Sequence, residues 1–281
     1  MRPAASDLTG QDCQAIEQHA WAGRKQIVDV GGLDLAYVEI AGSEPTLVLV
    51  HGFTDTSRSF SLLAPHLSGR RLVMPDLRGH GASQASEGCS VADFADDIAG
   101  LIRRLRLARP IVAGHSLGAM VSIASAARHP ELIGGLVVLA GTLKPDFPAD
   151  HPLVAGVGAL RDPIVAGDPF YDWWHACGPG VPRAFLAGLA KDASAMPAAR
   201  WRAILEEIRR TDLTAAARTV RAGTLIIAGG RDPLFGAAHQ QALAQTLPGA
   251  NLIWAQDCGH NPHWEDPAFV AAAIAGILPG R

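Results

Sequence analysis

Three polar residues stand directly after apolar, strand-like runs: Ser116 after Ile111 to Ala113, Asp232 after Leu225 to Ala228, and His260 after Leu252 to Ala255. A neutral serine hydroxyl is a poor nucleophile unless a histidine takes its proton and a carboxylate orients that histidine. Ser116 is the centre of Gly114-His115-Ser116-Leu117-Gly118, a Gly-x-Ser-x-Gly pattern, and the helix-forming run Ala119 to Arg128 follows it. A serine on so sharp a strand-to-helix turn is held in a strained conformation with its hydroxyl clear of the sheet. Small residues flank it where neighbouring chain passes too close for side chains. Alone, the pattern also suits a glycine-rich turn with a helix-capping serine. Placement of all three residues just past strands, at the carboxyl edge where α/β sheets gather ligands, favours acyl-transfer chemistry.

The elements that must position them alternate along the chain. Gln26 to Val30 and Leu33 to Ile40 are β-prone and joined by Gly31-Gly32, a hairpin signal. Thr46 to Val50 is continuously apolar, as expected of a strand buried on both faces. Ser57 to Leu67 reads as helix, Arg71 to Met74 as strand, Val91 to Leu107 as helix, Leu117 to Arg128 as helix and Leu136 to Leu139 as strand. This rhythm predicts a parallel sheet with right-handed crossovers. Residues 143–218 break it with a helical apolar spacing (Phe185, Leu189; Trp201, Ile204, Leu205, Ile208) and no strand-like run. Alternation returns with Thr224 to Ala228, Ala237 to Leu247, Asn251 to Ala255 and Pro267 to Ile277. The expected organisation is a core of residues 1–142 and 219–281 interrupted by a helical insertion over 143–218.

Composition narrows the partners. With 24 basic against 27 acidic residues, and basic pairs but no basic stripe, nucleic-acid binding is not expected. Cys13, Cys89, Cys177 and Cys258 lack disulfide or metal spacing and read as free thiols of a reducing compartment, so the expected location is cytoplasmic. Met1 to Asp7 carries an early acid and no apolar core, unlike an export signal. The apolar run Leu132 to Leu143 is too short to cross a bilayer.

Other titratable residues compete for roles. His263 is the rival base, three residues after His260, but the His-x-x-His pair lacks the acidic partner of a zinc site, and no metal or cofactor is expected. His51 reads as a loop-tying residue and His115 as packing beside the turn. Asp76 is expected to brace its loops with Arg78, and Asp146 is the alternative acid if the carboxylate follows an earlier strand.

His51-Gly52-Phe53, Pro75-Asp76-Leu77-Arg78-Gly79-His80-Gly81, the Ser116 turn, Gly229-Gly230-Arg231-Asp232 and Gly259-His260 occur in one order along the chain. From about Val28 to Leu278 the sequence resembles the α/β-hydrolase family, whose triad runs Ser, Asp, His in sequence. The resemblance implies a mostly parallel eight-stranded sheet flanked by helices, with 143–218 as an inserted cap. It also implies catalysis by Ser116, Asp232 and His260, with the backbone N–H groups of Phe53 and Leu117 as oxyanion donors.

A serine at the turn argues against the dehalogenase and epoxide-hydrolase branches, which use aspartate there. Phe170, Tyr171, Trp173, Trp174, Phe185 and Trp201 concentrate aromatics in the insertion. Trp173, Trp174 and Phe185, with Phe53, Thr54 and His115, are the expected substrate residues, and Asp55 to Ser57 could join them. The expected substrate is a small-to-medium, fairly apolar carboxylic ester. Carbon–carbon bond hydrolysis and lactone hydrolysis use the same triad, and a non-catalytic small-molecule receptor is the remaining alternative. Arg161, Arg183 or Arg202 would supply an anchor if the substrate were carboxylated.

Overall fold

The computed structural model describes residues 20–277; Cys13, the segment Met1 to Asp7 and Leu278 lie outside them. Eight strands form one sheet in the order β1-β2-β4-β3-β5-β6-β7-β8. They are β1 (Gln26–Asp29), β2 (Asp34–Ile40), β3 (Ser43–Val50), β4 (Arg70–Pro75), β5 (Ile111–His115), β6 (Gly135–Leu139), β7 (Gly223–Gly229) and β8 (Asn251–Ala255). The β1·β2 and β2·β4 pairings are antiparallel; all pairings from β4 through β3 to β8 are parallel.

The apolar strands feed two cores because successive side chains leave opposite faces of the sheet. Val48, Val50, Val112, Leu136 and Val138 face one core, and Leu47, Leu49, Ala113, Val137 and Leu139 the other. The first core receives helices α1 (Val91–Arg104) and α2 (Leu117–Arg128); the second receives α10 (Pro267–Ile277). Helix α1 shows one apolar stripe and begins at a capping box in which Ser90 and Asp93 satisfy each other's backbone N–H. Helix α2 is buried along Leu117 to Ala126, so the residue before it is carried at the start of a firmly packed helix.

Between β6 and β7 the described residues contain helices and no strand: α3 (Pro152–Ala159), α4 (Phe170–Trp174), α5 (Arg183–Ser194), α6 (Ala198–Arg210) and α7 (Thr214–Ala217). The remaining helices are α8 (Ala237–Thr246) and α9 (Pro262–Glu265).

The helix expected over Ser57 to Leu67 is replaced by two short 3₁₀ turns, Ser57–Phe60 and Ala64–Leu67. Pro65 has no N–H to continue a ladder, and the Ser57 N–H is taken by the Asp76 carboxylate at 2.8 Å. The expected Val91 to Leu107 helix stops at Arg104, with Arg106 already at φ +52°.

Candidate active site

Ser116 joins β5 to α2 at φ +53° and ψ −114°, a conformation that costs a non-glycine residue free energy. Its N–H is pinned to the Leu139 carbonyl of β6 at 3.0 Å. The glycines two residues either side are demanded by packing. A Cβ on Gly114 would overlap the Gly118 carbonyl, and one on Gly118 would overlap the Val50 carbonyl at the end of β3.

The loops after β7 and β8 bring the other two residues to it. They are stitched together by Gly230 N–H to Ala255 O and Arg231 N–H to Cys258 O, both 2.9 Å. His260 Nε2 lies 2.9 Å from Ser116 Oγ, and its Nδ1 lies 2.9 Å from Asp232 Oδ2. The carboxylate can only accept, so the ring carries its proton on Nδ1 and turns the Nε2 lone pair to the serine hydroxyl. Asp232 Oδ1 accepts the N–H groups of Leu234 at 2.8 Å and Phe235 at 3.0 Å. Burial works to raise the Asp232 carboxyl, but the His260 ring, its hydrogen bond and the two amides bring it below the ordinary carboxylate value. The structure thus assembles Ser116, His260 and Asp232, and leaves Asp146 exposed.

The segment after β3 is braced by two histidines. His51 Nδ1 donates to the Gly52 carbonyl at 2.8 Å while Nε2 accepts the Leu77 N–H at 2.9 Å. His80 Nε2 meets the Phe53 carbonyl at 2.7 Å, fixing the Phe53–Thr54 peptide plane. Asp76 does not pair with Arg78 as expected. It holds Lys25 at 2.6 Å and accepts from Ser57 and Ala82 N–H groups, while Arg78 forks onto Asp97. The reason is position: Asp76 ends at the loop from β3, whereas Arg78 reaches back to α1.

A cavity of about 300 Å³ opens over Ser116. Of the expected substrate residues, Phe53, Thr54, His115, Trp173 and Trp174 line it, and Trp174 Nε1 donates to Thr54 Oγ1 at 2.7 Å. Phe185 does not line it. That ring is fully buried with Leu62, Val181 and Leu189 and meets Trp264 edge-on, so it supports the wall from behind. Trp201 and Tyr171 are likewise interior to the insertion. None of Arg161, Arg183 and Arg202 reaches the cavity wall; Arg161 and Arg202 are spent on backbone carbonyls around Leu160. The cavity's one lining arginine, Arg231, is largely exposed and paired with Asp257.

Several lining residues carry no motif and emerge only in three dimensions: Trp264, Asn261, Glu265, Cys177 and Leu234. Glu265 accepts from Gly259 N–H at 3.0 Å and from Gly178 N–H at 3.2 Å, tying the His260 loop to the insertion. Burial pushes the Cys177 and Cys258 thiols up to about 11, so neither is a thiolate nucleophile at neutral pH. His263 is fully buried against Ser59, its proton affinity well below ordinary histidine, and it does not reach Ser116.

Asp55 is the anomalous group of this wall. Burial pushes its carboxyl from the ordinary 3.8 up to about 6. Between those values the folded chain keeps a proton that the unfolded chain has lost, so folding stability falls as pH rises through that window. Above it the ionised carboxylate costs on the order of 3 kcal/mol. Asp55→Asn keeps an acceptor for Ser59 and removes the charge. It is therefore expected to raise the thermal unfolding midpoint at pH 7.5 by roughly 5 °C, with no gain near pH 4. A midpoint unchanged at both pH values would contradict the unpaired-carboxylate account.

Comparison with known proteins agrees with this architecture. The family model described as "Alpha/beta hydrolase family" matches residues 47–273. A 2-(acetamidomethylene)succinate hydrolase of Mesorhizobium japonicum is 32% identical over 264 residues, covering 89% of this chain and 94% of that protein. A pimeloyl-[acyl-carrier protein] methyl ester esterase of Aromatoleum aromaticum is 33% identical over 259 residues, covering 85% of this chain and all of that protein. The crystal structure of E-2-(acetamidomethylene)succinate hydrolase superposes with a TM-score of 0.76 at 28% identity, covering 90% of this chain and 97% of that one. With its sheet order, its strained serine between β5 and α2, and a family match spanning most of its length, the chain belongs to the α/β-hydrolase family.

Proposed function

We propose that the protein is a serine hydrolase that cleaves a small-to-medium, fairly apolar carboxylic ester through an acyl-enzyme. The observation that carries this reading is the unbroken hydrogen-bonded series Asp232–His260–Ser116, both links at 2.9 Å. Ser116 Oγ attacks the acyl carbon as His260 Nε2 takes the hydroxyl proton, and Asp232 stabilises the imidazolium that results. The backbone N–H groups of Phe53 and Leu117 hold the oxyanion, the second at the positive end of helix α2. His260 protonates the departing alcohol, then takes a proton from the water that attacks the acyl-enzyme and frees Ser116. No metal or cofactor enters any step.

The insertion 143–218 acts as a cap, supplying Trp173, Trp174, Ala176 and Cys177 to the cavity. The wall is mostly apolar and lacks a buried cation, which favours an uncharged ester over a dicarboxylate of the succinate type. No helix among the described residues is long and apolar enough to cross a membrane. Free thiols at Cys89, Cys177 and Cys258 support a cytoplasmic setting.

The reading is tested with p-nitrophenyl esters from acetate to octanoate and with a fluorophosphonate probe. Turnover should peak at a short-to-medium acyl chain, and mass spectrometry should find the phosphonyl adduct on Ser116. Absence of both turnover and adduct would sink the proposal.

A further inference from the structure

His115 stands between the nucleophile and the base, and the chemistry above gives it no role. It is the last residue of β5 and directly precedes Ser116, while its Nε2 lies 2.9 Å from the backbone carbonyl oxygen of His260. A carbonyl oxygen only accepts, so the ring carries its proton on Nε2 and donates it there. The contact closes a circuit. It runs from Ser116 Oγ to His260 Nε2 at 2.9 Å, through the His260 backbone to its carbonyl, across to His115, and back along the chain to Ser116. Strands β5 and β8 are not neighbours in the sheet, since β6 and β7 lie between them. No strand pairing therefore ties the end of β5 to the His260 loop directly, and the His115 bond does.

The chemistry of the ring fits this single duty. His115 is 2% exposed and its Nδ1 has no hydrogen-bond partner. A buried acceptor left unpaired is costly, and a hydrocarbon side chain would fill the space without that cost. The donor on Nε2 is what a hydrocarbon would lack. Burial, and then the neighbouring His260, push the His115 ring down to about 3, so it is neutral at pH 7. It thus adds no positive charge beside the imidazolium that forms on His260, whose ring centroid is 4.9 Å away. His263, itself bonded to Ser59 at 3.0 Å, packs against His115 with ring centroids 4.3 Å apart. Glu265 holds the Gly259 N–H ahead of His260, and His115 holds the His260–Asn261 peptide behind it.

We propose that His115 is a positioning residue: by donating to the His260 carbonyl it sets the approach of the imidazole to Ser116 Oγ. This rests on the serine-hydrolase reading and adds to it a side chain that takes no part in the proton transfer itself. A displacement of about 1 Å between reacting groups costs on the order of 100-fold in rate even when no group is lost.

The test uses three substitutions in the full chain. In His115→Gln the amide nitrogen falls near the place of Nε2 and can still donate to the carbonyl. In His115→Asn the amide falls near Nδ1, short of the carbonyl, and His115→Phe fills the space but donates nothing. On the best p-nitrophenyl ester, kcat should fall by about 30- to 100-fold in His115→Asn and His115→Phe, but by only about fivefold in His115→Gln. KM should stay within about threefold throughout, because the ring is almost wholly covered. Fluorophosphonate labelling of Ser116 should slow in the same order. A ring that merely packs would make kcat follow the thermal unfolding midpoint and not the donor. The proposal is overturned if His115→Asn keeps kcat within about threefold of the wild type, or if His115→Gln loses as much as His115→Asn. These two variants decide the matter even if His115→Phe does not fold. Proton NMR reads the placement without any ester: the His260 Nδ1–H signal should survive in His115→Gln and broaden by exchange in His115→Asn. Equal signals in both overturn the proposal. Absence of Ser116-dependent turnover and labelling in the wild type counts against the hydrolase reading alone, since the NMR comparison still reports where the imidazole is held.

Discussion

Ser116→Ala should reduce kcat on the best p-nitrophenyl ester by about 10⁵- to 10⁶-fold while leaving KM nearly unchanged. The size follows from what is lost: the acyl-enzyme route itself, since the His260 lone pair then faces a methyl group. Residual activity above solvent, on the order of 10³-fold, would come from oxyanion donors on the main chain, which the substitution leaves in place. The same variant should bind substrate, because only one oxygen leaves a cavity of about 300 Å³. Steady-state kinetics with a matched fluorophosphonate control decides it. A loss smaller than tenfold would mean that another group attacks the ester.

Asp232→Asn should be almost as damaging, by about 10⁴-fold in kcat, although it removes no atom from the hydrogen-bond framework. The carboxylate accepts at both oxygens, from His260 Nδ1 on one side and from the Leu234 and Phe235 N–H groups on the other. Asparagine has one acceptor oxygen. The two amides demand it, so the side-chain NH₂ turns to the imidazole and forces the ring proton onto Nε2. His260 would then donate towards Ser116 and could not take its proton. Asp232→Ala is expected to be milder, because it leaves the tautomer free to exchange. Measured kcat values for the two variants in the reverse order would refute the tautomer argument.

The sequence made the candidate site legible because Ser116, Asp232 and His260 each sit just past a strand whose continuous apolar run marks it, buried in β5 and β7 and half-buried in the edge strand β8. Ile111 to Ala113, Leu225 to Ala228 and Leu252 to Ala255 fall within β5, β7 and β8. The parallel register then brings the strand ends together. What stayed hidden depends on facing and not on type. Phe185 and Trp174 are both aromatic residues on helices of the insertion, yet one fills its interior and the other reaches Thr54 across the cavity. Nothing in the local pattern separates them. Ser57 to Leu67 has helical apolar spacing, but Pro65 and the reach of Asp76 to the Ser57 N–H give two short turns. Asp55 reads as one polar residue in a polar run until Ser59, His115 and Trp264 close around it.

The bridge made by Glu265 joins two stretches of the cavity wall that lie far apart in sequence. One carboxylate oxygen secures Gly259, the residue before His260, and the other secures Gly178 in the insertion. Neither stretch can shift against the other without breaking one of these two hydrogen bonds. A single side chain thus works as a staple, and the placement of the imidazole is tied to the placement of a stretch of the helical insertion some eighty residues upstream in the sequence.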